Sequence, residues 1–279
     1  MRLSNCFLRF VAGVLLAGCV SAPRAVPIAV SPGIHRPSTD RIADYPDALA
    51  AVVSVLVDDL KFPKVDASLI LYPNADTFRT GLVTELGYEP TLAAQTAGFA
   101  WGVGGHKKVL ANESHLFRQG WPERIRFLTH ELTHTIQYGL GNGRRGTSDQ
   151  WLREGFADWV SYKVLESLGL DSYAQRRRMR IDRAWRARQY QTFPSLTQMV
   201  SFRDWVTWRT TLGSEATYAQ AFLAVDFLVE RRGPPAVIKY FELFSRSNDR
   251  LANFEAAFGD RLAEFEREFS GYFERLLGR

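Results

Sequence analysis

The chain has 279 residues, of which 46% are hydrophobic, 13% aromatic and 23% charged. This is globular composition with enough apolar mass for a sizeable core, and it excludes an intrinsically disordered chain. The formal net charge of +5 is too slight to indicate a nucleic-acid partner, and two cysteines, Cys6 and Cys19, provide no disulfide framework.

The N-terminus differs from the rest. Arg2 and Arg9 precede an apolar run from Phe10 to Ala17, with no acidic residue among them. The run is too short to span a bilayer as a mature helix and reads as a secretory signal. It ends in Leu16-Ala17-Gly18-Cys19, which resembles the bacterial lipobox. That resemblance implies removal of residues 1–18, lipidation of Cys19, and a bacterial cell-envelope protein held to the membrane through its N-terminal lipid. Val20, where an aspartate would favour inner-membrane retention, implies the outer membrane, facing the periplasm. Cleavage takes Arg2 and Arg9 from the 35 basic residues, leaving 33 against 30 acidic ones. Residues 19–40 carry four prolines and no helical period, the pattern of a tether ahead of a domain over 41–279.

Within that domain "DALAAVVSVLVDDL" has a helical pattern, and "ASLILYP" reads as a short strand. "NADTFRTGLVTEL" reads as a helix capped by Asn74 or Asp76 and closed by Gly87. "TAGFAWG" and "HKKVLAN" read as two strands around a "GVGG" turn. From Trp121-Pro122 onward the pattern is helical, because Pro122 suits a first helical turn and Leu128, Leu132 and Ile136 make an apolar stripe. After the glycine-rich loop of residues 139–147, Ser148 or Asp149 is positioned to cap a helix starting "QWLREGFADW". Further helices are expected over 172–189, 215–231, 235–245 and 260–277, the last with an apolar seam of Leu262, Phe265, Phe269, Tyr272 and Leu276. The fold class is therefore α+β: a small mixed sheet in 41–140 backing the 121–140 helix, then a mostly helical half in 141–279.

The chemistry centres on His130-Glu131-Leu132-Thr133-His134. Residues four apart lie on one helix face, so His130 and His134 can aim both imidazoles at one ion, and zinc accepts such nitrogens at about 2.0–2.1 Å. Glu131 sits beside them, placed to touch a water on the metal rather than the metal itself. A catalytic zinc takes three protein ligands and keeps a fourth position open. Glu154, early in the next helix, is the candidate third ligand. Asp158 lies one turn on and could hold the second nitrogen of a zinc histidine.

"HELTH" followed across a short loop by "WLREGFAD" resembles the gluzincins, the thermolysin-like clan of zinc metallopeptidases, and within them the peptidase MA-like group. The resemblance spans about residues 66–231 and is most specific over 128–160. It implies a zincin-like fold, Zn²⁺ as cofactor, His130, His134 and Glu154 as metal ligands, Glu131 as general base, and Asp158 behind a histidine. A tyrosine early in a later helix implies Tyr218 as donor to the oxyanion, with His106 and His115 as alternatives. "TAGFAWG" lies where the clan carries its substrate-binding edge strand. The G-x-M-E-N segment of large gluzincin aminopeptidases is missing, as is a metzincin third histidine. The expected activity is hydrolysis of peptide bonds in a peptide or protein substrate of the cell envelope, with no nucleic-acid partner. The alternatives are an inactive zincin-fold scaffold lipoprotein and a zinc amidase or endopeptidase acting on peptidoglycan cross-links.

Residues 176–188 hold seven arginines. An exposed run of this kind would attract anionic lipid headgroups, but Asp171, Asp182 and the acidic last helix favour a solvated helix paired with acids.

Overall fold

Alternation of side chains along residues 66–72 sorts the sheet into two faces. The computed structural model describes residues 22–29, 42–63, 66–143 and 148–278. Among them strands β1 (Arg24–Ala29), β2 (Asp66–Tyr72), β3 (Gly102–Gly105) and β4 (Lys108–Asn112) form one sheet in the order β1-β2-β4-β3. β2 and β4 are parallel and the other pairs antiparallel, so the sheet is mixed. Successive strand residues point to opposite faces. Leu69, Leu71, Val109 and Ala111 enter the main core, whereas Tyr72 and Leu110 enter a smaller cluster with Phe78 and Leu82.

Helix α1 (Tyr45–Ser54) continues as a π-helical turn over Val55–Asp59. Helix α2 (Ala75–Leu86) starts at a capping box of Asn74 and Thr77 and ends at Gly87, as its residues lead one to expect. Helix α3 (Pro90–Phe99) and a short α4 (Glu113–Leu116) complete the first half. Helix α5 (Trp121–Leu140) packs on β3 and β4 and carries the His130 motif, so the small mixed sheet does back that helix.

The second half is helical: α6 (Gln150–Ser167), α7 (Tyr173–Arg188), α8 (Phe202–Thr211), α9 (Ser214–Arg232), α10 (Pro234–Leu243), α11 (Arg250–Phe258) and α12 (Leu262–Leu277). The α12 seam buries Leu262, Phe265, Phe269 and Leu276, with Tyr272 half-buried. The densest packing joins α6 to α5 on one side and to α9 on the other. Gly155 sets how near α9 comes, since a Cβ there would lie 2.3 Å from the Ala221 carbonyl oxygen.

Four expectations are corrected. Residues 24–29, inside the presumptive tether, form edge strand β1, with Val26 and Ile28 buried and Pro27 tolerated where only one side is paired. "TAGF" ends helix α3 and is no strand. The glycine run is itself strand β3, and the turn falls at His106-Lys107. Neither Ser148 nor Asp149 caps α6 through its side chain. The amides of Gln150 and Trp151 bond the Val200 and Met199 carbonyls instead. The Asp149 carboxylate accepts from the Tyr240 hydroxyl at 2.7 Å and from Arg250 at 2.6 Å, fastening α10 and α11 to the start of α6. Cys19, the expected signal segment 1–18 and residues 20–21 and 30–40 of the expected tether lie outside the described residues. No helix among the described residues is long and apolar enough to cross a membrane.

Candidate metal centre

Helix α5 presents His130 and His134 one turn apart, on the side facing α6, and both are buried. Their Nε2 atoms lie 3.2 Å from one another. Helix α6 brings the Glu154 Oε2 to 3.4 Å from His130 Nε2 and 3.6 Å from His134 Nε2. Three donors at about 2.0–2.1 Å from one tetrahedral ion stand roughly 3.3–3.4 Å apart, so the triangle has the size that zinc needs. The donor set itself, two imidazoles and one carboxylate, suits a borderline-soft divalent cation.

The outer contacts fix each ligand. His130 Nδ1 faces Asp158 Oδ1 at 3.1 Å, and His134 Nδ1 faces Gln137 Oε1 at 2.9 Å. With those acceptors each Nδ1 is the protonated nitrogen and each Nε2 is free to ligate. Gln137 in turn donates to the Arg153 carbonyl at 3.1 Å, tying α5 to α6. Gln150 donates to Glu154 Oε1 at 2.7 Å, leaving Oε2 turned to the histidines. Behind Asp158 stands Arg180 of α7, buried, bonded to Asp158 Oδ2 and donating to the Tyr162 hydroxyl at 2.9 Å.

The site is short of positive charge. Burial opposes a charge on His130, yet its hydrogen bonds to Asp158 and Glu154 push its pKa up to about 10. Burial also opposes ionisation of Glu154, but the histidines hold it well below the usual carboxylate range. A divalent cation bound there would take over the charge that a protonated His130 otherwise supplies to the buried acids.

Glu131 is not part of that triangle. Its Oε2 accepts from the Gly104 amide of β3 at 2.7 Å, and burial raises its pKa. A Cβ at residue 104 would lie 2.2 Å from the Glu131 carbonyl oxygen, so only glycine lets β3 come this close to α5. The Asn112 amide bonds the Trp101 carbonyl. With alternate residues in an antiparallel pair bonding to opposite sides, Val103 and Gly105 face β4, and the polar groups of Gly102 and Gly104 turn outward.

That outward edge borders a cleft of about 450 Å³ whose lining includes His130, Glu131, His134, Glu154 and Tyr218. Tyr218, at the start of α9, is half-buried, with its ring 6.3 Å from that of His130 and edge-on to Trp205 at 5.0 Å. Burial, then the charge of Glu154, pushes its pKa well above 10, so it remains a protonated donor. Among the described residues that line the cleft, neither His106 nor His115 is found. The sequence-derived residues therefore assemble at one place, with Cys19 outside the described residues.

Sequence reasoning missed Arg180, Gln137, Gln150 and Gly104. Gln137, three residues beyond His134 on the same helix, had a usable signal in its spacing. The seven arginines concealed Arg180. The others in that run which pair do so with acids nearer the surface: Arg176 with Asp171 and Glu123, Arg177 with Asp226, Arg183 with Glu215 and Arg188 with Glu274.

Compared with known proteins, the chain matches no family model, no curated protein and no solved structure. The buried group of His130, His134 and Glu154 could hold a metal ion on its own geometry.

Proposed function

We propose that this chain is a zinc-dependent peptidase of the gluzincin kind, with a zincin-like fold, held to the bacterial envelope through Cys19. The observation that carries the reading is the convergence of His130 Nε2, His134 Nε2 and Glu154 Oε2 beside an open cleft, with the Glu131 carboxylate next to them and not among them.

When bound, Zn²⁺ supplies Lewis acidity, polarising a carbonyl and lowering the pKa of water. The chain's residues do the rest. Asp158 and Gln137 hold the two imidazoles in the tautomer that ligates. Glu131, its affinity for protons increased by burial, accepts a proton from the attacking water and returns it to the leaving amine. Tyr218 keeps its proton and donates to the oxyanion that develops on the substrate. β3 offers the outward groups of Gly102 and the Gly104 carbonyl to an extended peptide, the usual way a strand edge takes a substrate chain, while the Gly104 amide stays with Glu131. The α8–α9 wall, with Trp205 and Tyr218, encloses the other side.

Glu131→Gln is the test. The variant should fold, keep one equivalent of zinc by elemental analysis, and lose cleavage of envelope peptides by mass spectrometry of new termini. Turnover unchanged from wild type removes Glu131 from the mechanism. A wild-type protein that retains zinc yet cuts no envelope peptide favours a scaffold role.

A further inference from the structure

Arg126, Arg176, Arg180, Arg183 and Arg209 are among the arginines that line the cleft. Four of them have carboxylate partners. Arg126 bonds Glu123 at 2.7 Å and Arg176 bonds the same carboxylate at 2.8 Å. Arg180 is held by Asp158, and Arg183 by Glu215. Arg209 alone among these has no ion pair within the described residues, and its Nε is buried without a hydrogen-bond partner.

A guanidinium carries five donors in one plane and is always charged. Burying one of its N–H groups unpaired costs free energy unless a ligand completes it. Arg209 is also held in place. Its guanidinium lies 4.9 Å from the Phe99 ring of α3 and 5.7 Å from the Tyr218 ring of α9. Both rings lie within cation–π range of the guanidinium, and neither takes a hydrogen bond from its donors, which suit a bidentate acceptor. The two rings come from opposite halves of the fold and line the same cleft as Arg209, which is part-buried between them.

We propose that the cleft selects a substrate carboxylate, taken by Arg209, close to the bond that is cut. The proposal rests on the peptidase reading and specifies its substrate class. The Tyr218 ring lies 5.7 Å from the Arg209 guanidinium and 6.3 Å from the His130 ring. An extended peptide advances about 3.3–3.6 Å per residue, so the selected carboxylate belongs to a residue within a few positions of the scissile bond. It comes from an aspartate or glutamate side chain, or from the end of the substrate chain. A planar guanidinium discriminates between a carboxylate and its isosteric amide by charge and by pairing, which is stronger selection than a hydrophobic pocket gives.

The test compares wild type, Arg209→Gln, Arg209→Lys and Arg209→Glu as purified full-length proteins. The substrates are matched peptides carrying Asp or Glu, Asn or Gln, or Lys at each position around the cut. Each is made with a free and an amidated C-terminus. Wild type should prefer the acid to its amide isostere. In Arg209→Gln that preference should fall by about 10- to 100-fold in kcat/KM, the loss of one charge-assisted pair. Arg209→Lys should recover part of it, and Arg209→Glu should turn it toward lysine peptides. A preference unaffected by amidation assigns the carboxylate to a side chain, and one lost on amidation assigns it to the chain end. Equal losses on acid and amide peptides would overturn the proposal and make Arg209 a structural clamp between Phe99 and Tyr218.

A second measurement separates this proposal from the reading beneath it. Zinc-loaded Glu131→Gln protein is titrated with the same peptides by calorimetry, with and without Arg209→Gln. If wild type cuts nothing, the peptidase reading fails, and tighter binding of acidic peptides that depends on Arg209 still supports the carboxylate site. Binding indifferent to both changes refutes it.

Discussion

Arg180 is bonded to the Asp158 carboxylate in the buried interior between α6 and α7, on the side of Asp158 away from the metal ligands. Through Asp158, whose other oxygen faces His130 Nδ1, a residue of α7 helps to orient a candidate metal ligand on α5. Burial opposes ionisation of Asp158, but Arg180 and His130 hold its pKa below the ordinary aspartate value.

Asp158→Asn and Arg180→Leu should therefore differ. Asp158→Asn keeps the shape but exchanges a carboxylate for an amide, so zinc affinity should fall about 10- to 100-fold, and the buried Arg180 loses its counter-charge, which lowers stability as well. Arg180→Leu leaves Asp158 buried without its cation and should destabilise the protein by about 3–5 kcal/mol. Chelator competition reads the first and denaturant unfolding the second. An Arg180→Leu protein as stable as wild type would mean that Asp158 finds water or another cation.

Tyr218→Phe removes one hydroxyl and leaves the ring against Trp205 and Arg209. The variant should bind zinc normally and bind peptide with similar KM. Its kcat should drop about 10²- to 10³-fold, as for loss of one oxyanion donor. His106→Ala and His115→Ala should leave kcat as it is, and a collapse of activity in either would move the donor role away from Tyr218.

Gly155→Ala tests the α6–α9 contact. The added methyl meets the Ala221 carbonyl oxygen at 2.3 Å and a Val225 methyl at 2.7 Å, so the helices must separate. Overpacking of this kind costs about 1–3 kcal/mol, and the shift reaches Glu154, the adjacent residue. Both the melting temperature and zinc affinity should fall; a variant that loses neither would show that α9 yields freely.

Glu123 provides a pH dependence. Burial pushes its pKa up, but Arg126 and Arg176 outweigh burial and hold it below 4.5. A lowered folded pKa means that the unfolded chain binds the proton more readily. The stabilisation is complete above the unfolded pKa and is lost as the pH falls through the folded value. Glu123→Gln should thus be less stable than wild type at pH 7, with the gap closing as the pH drops below about 4.5. A gap that stays constant to pH 3 would assign the difference to packing.

How much was legible depended on whether the determining interactions were local. The four-residue spacing of His130 and His134 and of Glu154 and Asp158 is a property of one helix, and it survives whatever packs around it. The α12 seam and the Asn74 cap are of the same kind. The glycine run 102–105 was misread as a turn because glycine has little strand preference of its own; its pairing with β4 and the approach of α5 determine its conformation. Residues 24–29 were hidden by prolines, since a strand at a sheet edge tolerates what a central strand does not. Helices α8 and α11 lack a long apolar period and went unseen, and with α8 went Arg209. Arg180 is the clearest case: nothing in a run of seven arginines distinguishes the one whose partner lies in the interior.

Were Cys19 lipidated, strand β1 would limit how far the domain could stand from it. It begins at Arg24 and pairs at once with Leu71, five residues past Cys19. Five residues of extended chain reach no more than about 18 Å. A lipid on Cys19 would thus hold the sheet edge within about that distance of the headgroups.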